Sequence, residues 1–396
     1  MICPPGAAPV AFTTSDGKSG WVRRLSNEAL STPAYAKGRI FTGGGYSSHI
    51  FMTLDARTGK TLWAMPTQDN GPTAPVVQEN IVAYNMERCH TEVRDADDGD
   101  LVWSEVTGGT LLTQPVIADE LLFIPHPTMA RHSNASDDRF RMLGVNLKNH
   151  RHTWDADMTA DVLSAPVAAA GRVFFSCTDG RVFCLKTGNG GSDWHVVANA
   201  TSVPVVVGNV LAITTAQKSG CGTIVGIRRY DIAEGELQDQ TPLAPTRVEG
   251  AAPTTNLAAG WDYQGPKLAA AGKRLFNAPG NTLNAVDLET GKIAWRAVVS
   301  GHRLGNQANT LTPPALGKER LYLDTAEGHL LALSQRDGSL ACAYKLSEPV
   351  VSQLVLADGA LYFATGKGQL VCLKLKDPDA ADWHAWGGNA QHNKVD

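Results

Sequence analysis

The sequence predicts an all-β chain folded as a single eight-bladed β-propeller over residues 1–396, with its ring closed by an N-terminal strand. Three observations carry that prediction. A tryptophan-bearing unit recurs along the chain, the recurrence has a period typical of propeller blades, and each repeat holds four short β-prone runs.

The unit is LDARTGKTLW at residues 54–63. It returns as RDADDGDLVW ending at Trp103, NLKNHRHTW at Trp154, LKTGNGGSDW at Trp194 and VDLETGKIAW at Trp295. Each Trp follows a polar residue by eight positions, as at Asp55, Asn146 and Lys186. Two units are degenerate: SQRDGSLAC puts Cys342 at the Trp position and DIAEGELQD puts Asp239 there.

A second element precedes the units, as TAPVVQENIVAY, TQPVIADELLFI, SAPVAAAGRVFF, SVPVVVGNVLAI and TPPALGKERLYL. Its prolines at 75, 115, 166 and 204 advance by 40, 51 and 38 residues. The runs between them are rich in Val, Leu, Ile, Phe and Tyr and are broken by Gly, Asp or Asn, which reads as an antiparallel meander. Starts at Pro33, Pro75, Pro115, Pro166, Pro204, Pro266, Pro314 and Ser352 give eight blades. The last has only three runs of its own. The N-terminal GKSGWVRRL, whose GKSGW echoes TGKTLW, supplies its fourth strand and removes an exposed edge.

Length alone suggests two or three domains, but one ring uses the whole chain. Hydrophobic residues make up 43%, enough for a core, and exclude a disordered chain. A net charge of -4 argues against a nucleic-acid partner, and no apolar run reads as a transmembrane segment. The seven cysteines include no CxxC and are too sparse for a disulfide framework. MICPPGAAPV has neither a basic n-region nor an apolar h-region, so no signal peptide is read. That fits a cytoplasmic protein, or an exported one whose leader has been removed.

The LDxxTGKxxW pattern at 54–63 and 287–295 resembles the tryptophan-docking repeat of pyrroloquinoline-quinone-like propellers, over nearly the whole chain. That family includes quinoprotein alcohol dehydrogenases and the lipoprotein subunit of the outer-membrane β-barrel assembly machine. The resemblance implies that Trp63, Trp103, Trp154, Trp194 and Trp295 form an interblade girdle. The dehydrogenases hold their quinone against a vicinal disulfide. No Cys-Cys pair occurs here, which argues against a quinone bound in that manner. Cys3 in MIC makes no convincing lipobox.

In a meander, the loop between the second and third strands lies at the same end as the segment leading into the first. Long or odd loops of this class in blades one, two, three and five carry His49, Glu87, Cys89, His90, His126, His132 and Cys221. The segment ahead of blade seven adds His302, Arg303 and Asn306. Imidazole, thiolate and carboxylate form the ligand set for zinc or copper, and Cys with His also serves as nucleophile and base. The sequence therefore nominates His49, Cys89 and His126 as metal ligands, Cys89 as nucleophile, Glu87 as acid or base, and Arg303 as an anion clamp. The plainer readings are that His132 is a solvated loop residue and Cys89 a small buried hydrophobe. On a strand, Cys89 and His90 point to opposite faces. Cys184 and Cys372, at one repeat position, read as core. Residues 236–265 form the longest insertion and, with Trp261, Asp262 and Tyr263, a candidate lid over the axial face.

Three functions fit. One is a metal-assisted enzyme acting on a small molecule or peptide at the axial face. The second is a non-catalytic scaffold resembling the outer-membrane assembly subunit and binding a protein partner. The third is a lyase-type propeller abstracting a proton from a polysaccharide.

Overall fold

The structure is a computed structural model. It describes residues 20–108, 113–127, 140–163, 165–219, 222–243, 268–279, 282–298, 311–325, 328–346, 348, 350–375, 388–389 and 392. These form eight sheets of four antiparallel strands each, the blades of one ring. Blade one is representative: Ala34–Ala36 innermost, then Arg39–Gly43, Ile50–Asp55 and Thr61–Pro66. Its sequence explains its layout. Branched and aromatic residues fill the middle strands, which are buried between blades, while the outermost strand alternates exposed and buried positions.

The expected starts fall one residue ahead of the innermost strand in blades one to five and in blade seven. Blade eight is built from Val355–Ala357, Ala360–Ala364 and Gln369–Lys374, and its fourth strand is Trp21–Arg24, paired through Trp21↔Cys372. The ring is thus closed by the N-terminal strand.

The core lies between blades rather than inside any one. Phe41, Phe51 and Trp63 of blade one pack with Val77, Val82 and Tyr84 of blade two. The Phe51 and Tyr84 rings stack at 4.0 Å. In seven blades a register shift falls beside the residue facing the repeat Trp position, for example between Thr53 and Leu54 opposite Trp63. A bulge there re-aims the outer-strand side chain toward the next blade. Trp63 then donates its indole N–H to Ala96 O at 3.3 Å, Trp154 to Thr187 O at 2.7 Å, Trp194 to Ile232 O at 3.0 Å and Trp295 to Gln335 O at 2.9 Å. Trp21 does the same across the closure, to Ala56 O at 2.8 Å. The turn glycine of the next blade lies under each indole: a Cβ on Gly190 would come within 2.5 Å of Trp154. That glycine also holds φ +67, a region that favours glycine. Blade three has His150 at this turn position, at φ 57, and its ring stacks on Trp103 at 6.5 Å.

The seam between blades five and six is built differently. Asp239 stands where most blades place Trp, and where blade seven places Cys342, and it pairs with Arg229 directly across the strand. Arg229 Nε donates to Asp239 Oδ1 at 2.7 Å, and its Nη1 donates to Leu288 O, the carbonyl an indole would have used. Two loop expectations need correction. Leu237–Pro242 is the outer strand of blade five, so the stretch read as an insertion from 236 contributes to the sheet at its start. Its remainder from 244, with the proposed lid aromatics, lies outside the described residues. In the AQKSGCG stretch, residues 216–219 and Gly222 belong to strands rather than to a loop: they extend a long hairpin, Val210–Ser219 with Gly222–Asp231, in register to Ser219↔Gly222.

Candidate functional site at the axial face

The lead-in segments and the second-to-third loops do share one end of the ring. Isolated bridges tie the two in four blades: Val162↔Cys177, Ala200↔Thr215, Leu311↔Thr325 and Val350↔Thr365. A hydroxyl clasp fixes them. Thr73 Oγ1 accepts from Asn85 N at 3.2 Å, Ser202 Oγ from Thr214 N at 2.9 Å, Thr312 Oγ1 from Asp324 N at 2.7 Å and Ser352 Oγ from Ala364 N at 2.8 Å. Three of these hydroxyls stand two residues before a blade-start Pro, so a Ser/Thr-x-Pro signature marks this face.

On this face the loops of blades one and two meet. Tyr46 donates its hydroxyl to Glu87 Oε1 at 2.7 Å, and the carboxylate's acceptance of that proton raises the Tyr46 phenol above its ordinary range. Asp69 Oδ2 accepts Arg88 N at 3.0 Å, and Glu87 N donates to Asn70 O at 3.1 Å, which braces the chain leading into blade two. His49 and Arg88 are exposed here.

Cys89 is not on a strand. It occupies a tight turn at φ 50, its N–H donating to Met86 O at 3.0 Å, while its carbonyl accepts Thr107 N and Oγ1, both at 3.0 Å. The expected opposition of Cys89 and His90 across a strand therefore does not apply: both are buried, Cys89 in the turn and His90 at the start of the third strand of blade two. His126 lies within the second strand of blade three and turns toward that blade's outer strand. Its Nε2 is 3.6 Å from Asp155 Oδ1, and Arg141 Nε is 2.7 Å from the same carboxylate. Burial alone would raise the Asp155 carboxyl, but His126 and Arg141 more than offset this and hold it low.

Among the described residues no three His, Cys, Asp or Glu side chains are placed to hold one metal ion. His49, Cys89 and His126 are thus not brought together. The first is exposed in blade one, the second is buried in a turn of blade two, and the third faces away along blade three. Arg303, His132, Cys221 and His302 lie outside the described residues.

Three features escaped the sequence reading. Inside blade two, Arg94 donates to Tyr84 Oη and Glu92 Oε2, both at 2.8 Å, to Gly99 O at 2.9 Å and to Pro66 O at 2.8 Å. Burial first, then Glu92, pushes the Tyr84 phenol far up. The signal was present: HTEVRD sets Glu92 and Arg94 where IFMTLD has Met52 and Leu54. At the axial end of blade seven, Asp324 is 1% exposed and accepts Val350 N at 3.0 Å. Burial raises its carboxyl to about 7, against the two backbone amides that favour its charged form. His392, far along the chain, reaches Pro75 O of the blade-two lead-in at 2.8 Å.

The family described as "Outer membrane protein assembly factor BamB" matches residues 6–93, 48–149, 95–259 and 255–393. The BamB of Shewanella oneidensis is 22% identical over 402 residues, covering 92% of this chain and 87% of that protein. Among solved structures, BamB from Moraxella catarrhalis superposes with a TM-score of 0.63 at 15% identity, over 89% of this chain and 98% of that one. The quinohemoprotein alcohol dehydrogenase of Comamonas testosteroni superposes at 0.64 with 12% identity, over 89% of this chain and 75% of that one. At such identities the structural likeness speaks for the propeller alone. The sequence match, end to end in four overlapping segments, is what decides it: the chain belongs to the BamB family of PQQ-like repeat propellers.

Proposed function

We propose that the protein is a non-catalytic scaffold that binds a polypeptide partner in outer-membrane protein assembly. The observation that carries this reading is the BamB family match over nearly the whole chain. The axial face is consistent with it. Its Glu87 carboxylate is engaged by Tyr46, its Cys89 is sealed in a turn, and its His126 is turned to Asp155. The exposed residues here include Ser47, His49, Ile50 and Arg88, a mixed polar and apolar surface suited to a protein contact.

The test is direct binding of the purified chain to the barrel subunit of the assembly machine from the same organism, with a photo-crosslinker placed in turn at His49 and Arg88. A complex in solution with adducts from those positions is expected. Lack of a complex, together with a metal or chromophore near one per chain and measurable turnover, overturns the scaffold in favour of an enzyme.

A further inference from the structure

Beyond blade eight, His392 reaches the blade-two lead-in at the axial end of the ring. His392 is 1% exposed, and its Nδ1–H donates to the carbonyl of Pro75 at 2.8 Å, across 317 residues of sequence. The backbone is folded to make this reach. Gly388 is buried at φ 87, and His392, at φ 60, donates its N–H to Asn389 O at 3.1 Å. Pro75 stands one residue ahead of the blade-two ladder, which begins at Val76↔Ala83. Beside it, Ala74, Ala165, Val167 and Val203 form one small apolar cluster. These residues come from blades two, four and five, and blades two and four are not neighbours, so the cluster draws together lead-ins from separate parts of the ring.

We propose that the axial mouth is a peptide-binding site whose resident occupants are the chain's own Gly388, Asn389 and His392. The site offers a backbone carbonyl beside a floor of small apolar side chains. It fits an uncharged, turn-forming stretch with a glycine and a donor side chain, which is the chemistry of GGNAQH. While that segment is seated, a partner's peptide reaches the Pro75 carbonyl only by displacing it. Apparent affinity at the mouth is then the intrinsic affinity multiplied by the fraction of molecules in which the site is free. This deepens the scaffold reading and rests on it.

The experiment uses a fluorescent peptide of residues 383–396 and follows its anisotropy against three proteins. These are the parent chain, a chain ending at Lys376 and the full-length His392→Ala variant. The truncated chain is expected to bind at least about tenfold more tightly than the parent, with His392→Ala between them. A peptide carrying the same His→Ala change is expected to lose about tenfold, as one neutral hydrogen bond allows. The inference fails if the truncated chain keeps the parent's far-ultraviolet circular dichroism and cooperative unfolding and does not bind. Should truncation unfold the protein, the His392→Ala chain decides alone, and binding no tighter than the parent's overturns the proposal. Binding of the barrel subunit is measured in parallel. If it persists while the peptide fails, the resident-segment inference falls and the scaffold stands; if it is lost in every form, the scaffold falls too.

Discussion

Two seams of the ring solve one problem with different chemistry. Between blades four and five, the Trp194 indole fills the gap, donates to Ile232 O and lies on Gly235. Between blades five and six, an arginine and an aspartate do so together. Arg229 reaches the matching carbonyl of Leu288, and Asp239 Oδ2 would sit 2.0 Å from a Cβ on Gly291. At both of these seams the turn glycine and the accepting carbonyl are kept, while the filling group varies. What differs is how each seam responds to loss. A tryptophan takes its hydrogen-bond donor with it when removed, whereas an ion pair leaves a charge behind.

The largest effects expected are at these two seams. Trp194→Ala removes a 9% exposed indole and should cost about 3–5 kcal/mol. Asp239→Ala deletes a smaller group yet leaves the Arg229 side chain, 4% exposed, without its carboxylate. Because Asp239 itself is 32% exposed and water can partly replace it, about 2–4 kcal/mol is expected. The contrast sharpens in the double variant Arg229→Ala/Asp239→Trp, which rebuilds the tryptophan dock and should fall within about 2 kcal/mol of the parent, on either side. Urea unfolding of all three measures this. An Asp239→Ala chain as stable as the parent would mean that the pair bears no load at the seam.

Next in size is a pH effect confined to blade seven. Burial raises the Asp324 carboxyl to about 7 in the folded protein, against 3.8 for a solvent-exposed aspartate, as in the unfolded chain. Between these values the folded state keeps a proton that the unfolded state has lost, so this residue's contribution declines as pH rises from about 4 to about 7, then levels off. Asp324→Asn keeps an oxygen for Val350 N and cannot ionise. It should therefore gain about 2–4 kcal/mol over the parent at pH 8, with the gain shrinking toward pH 4. A difference between the two chains that does not vary with pH would sink this assignment.

The girdle was legible because its constraint is local. A Trp eight residues beyond a polar turn residue meets the next blade wherever the repeat places it, and the same rule located Asp239 as a substitute. What it could not give was Arg229, which is paired to Asp239 only through the strand register of the folded hairpin. The face was legible for a similar reason, since strand alternation alone sets which loops share an end. The failure of His49, Cys89 and His126 to converge was not, because sharing an end says nothing about direction. Cys89 turns inward at φ 50, and His126 lies along its own sheet. The meeting of His392 with Pro75 spans nearly the full ring and leaves no periodic trace.

The smallest effect expected lies at the seam between blades two and three, where His150 replaces the turn glycine beneath Trp103. At φ 57 a residue bearing a Cβ costs about 1–2 kcal/mol relative to glycine. The stacked imidazole offsets that by about 0.5–1.5 kcal/mol, toward the low end at a 6.5 Å ring separation. His150→Gly removes both contributions at once and should change stability by no more than about 1 kcal/mol, in the direction of a gain. His150→Ala keeps the strained backbone and loses the ring, so it should be the less stable of the two by about 1 kcal/mol. Thermal unfolding of the pair separates the terms. If the alanine chain matches the glycine chain, the left-handed turn is not what sets the cost at this seam, and the stacking of His150 on Trp103 must account for the residue alone.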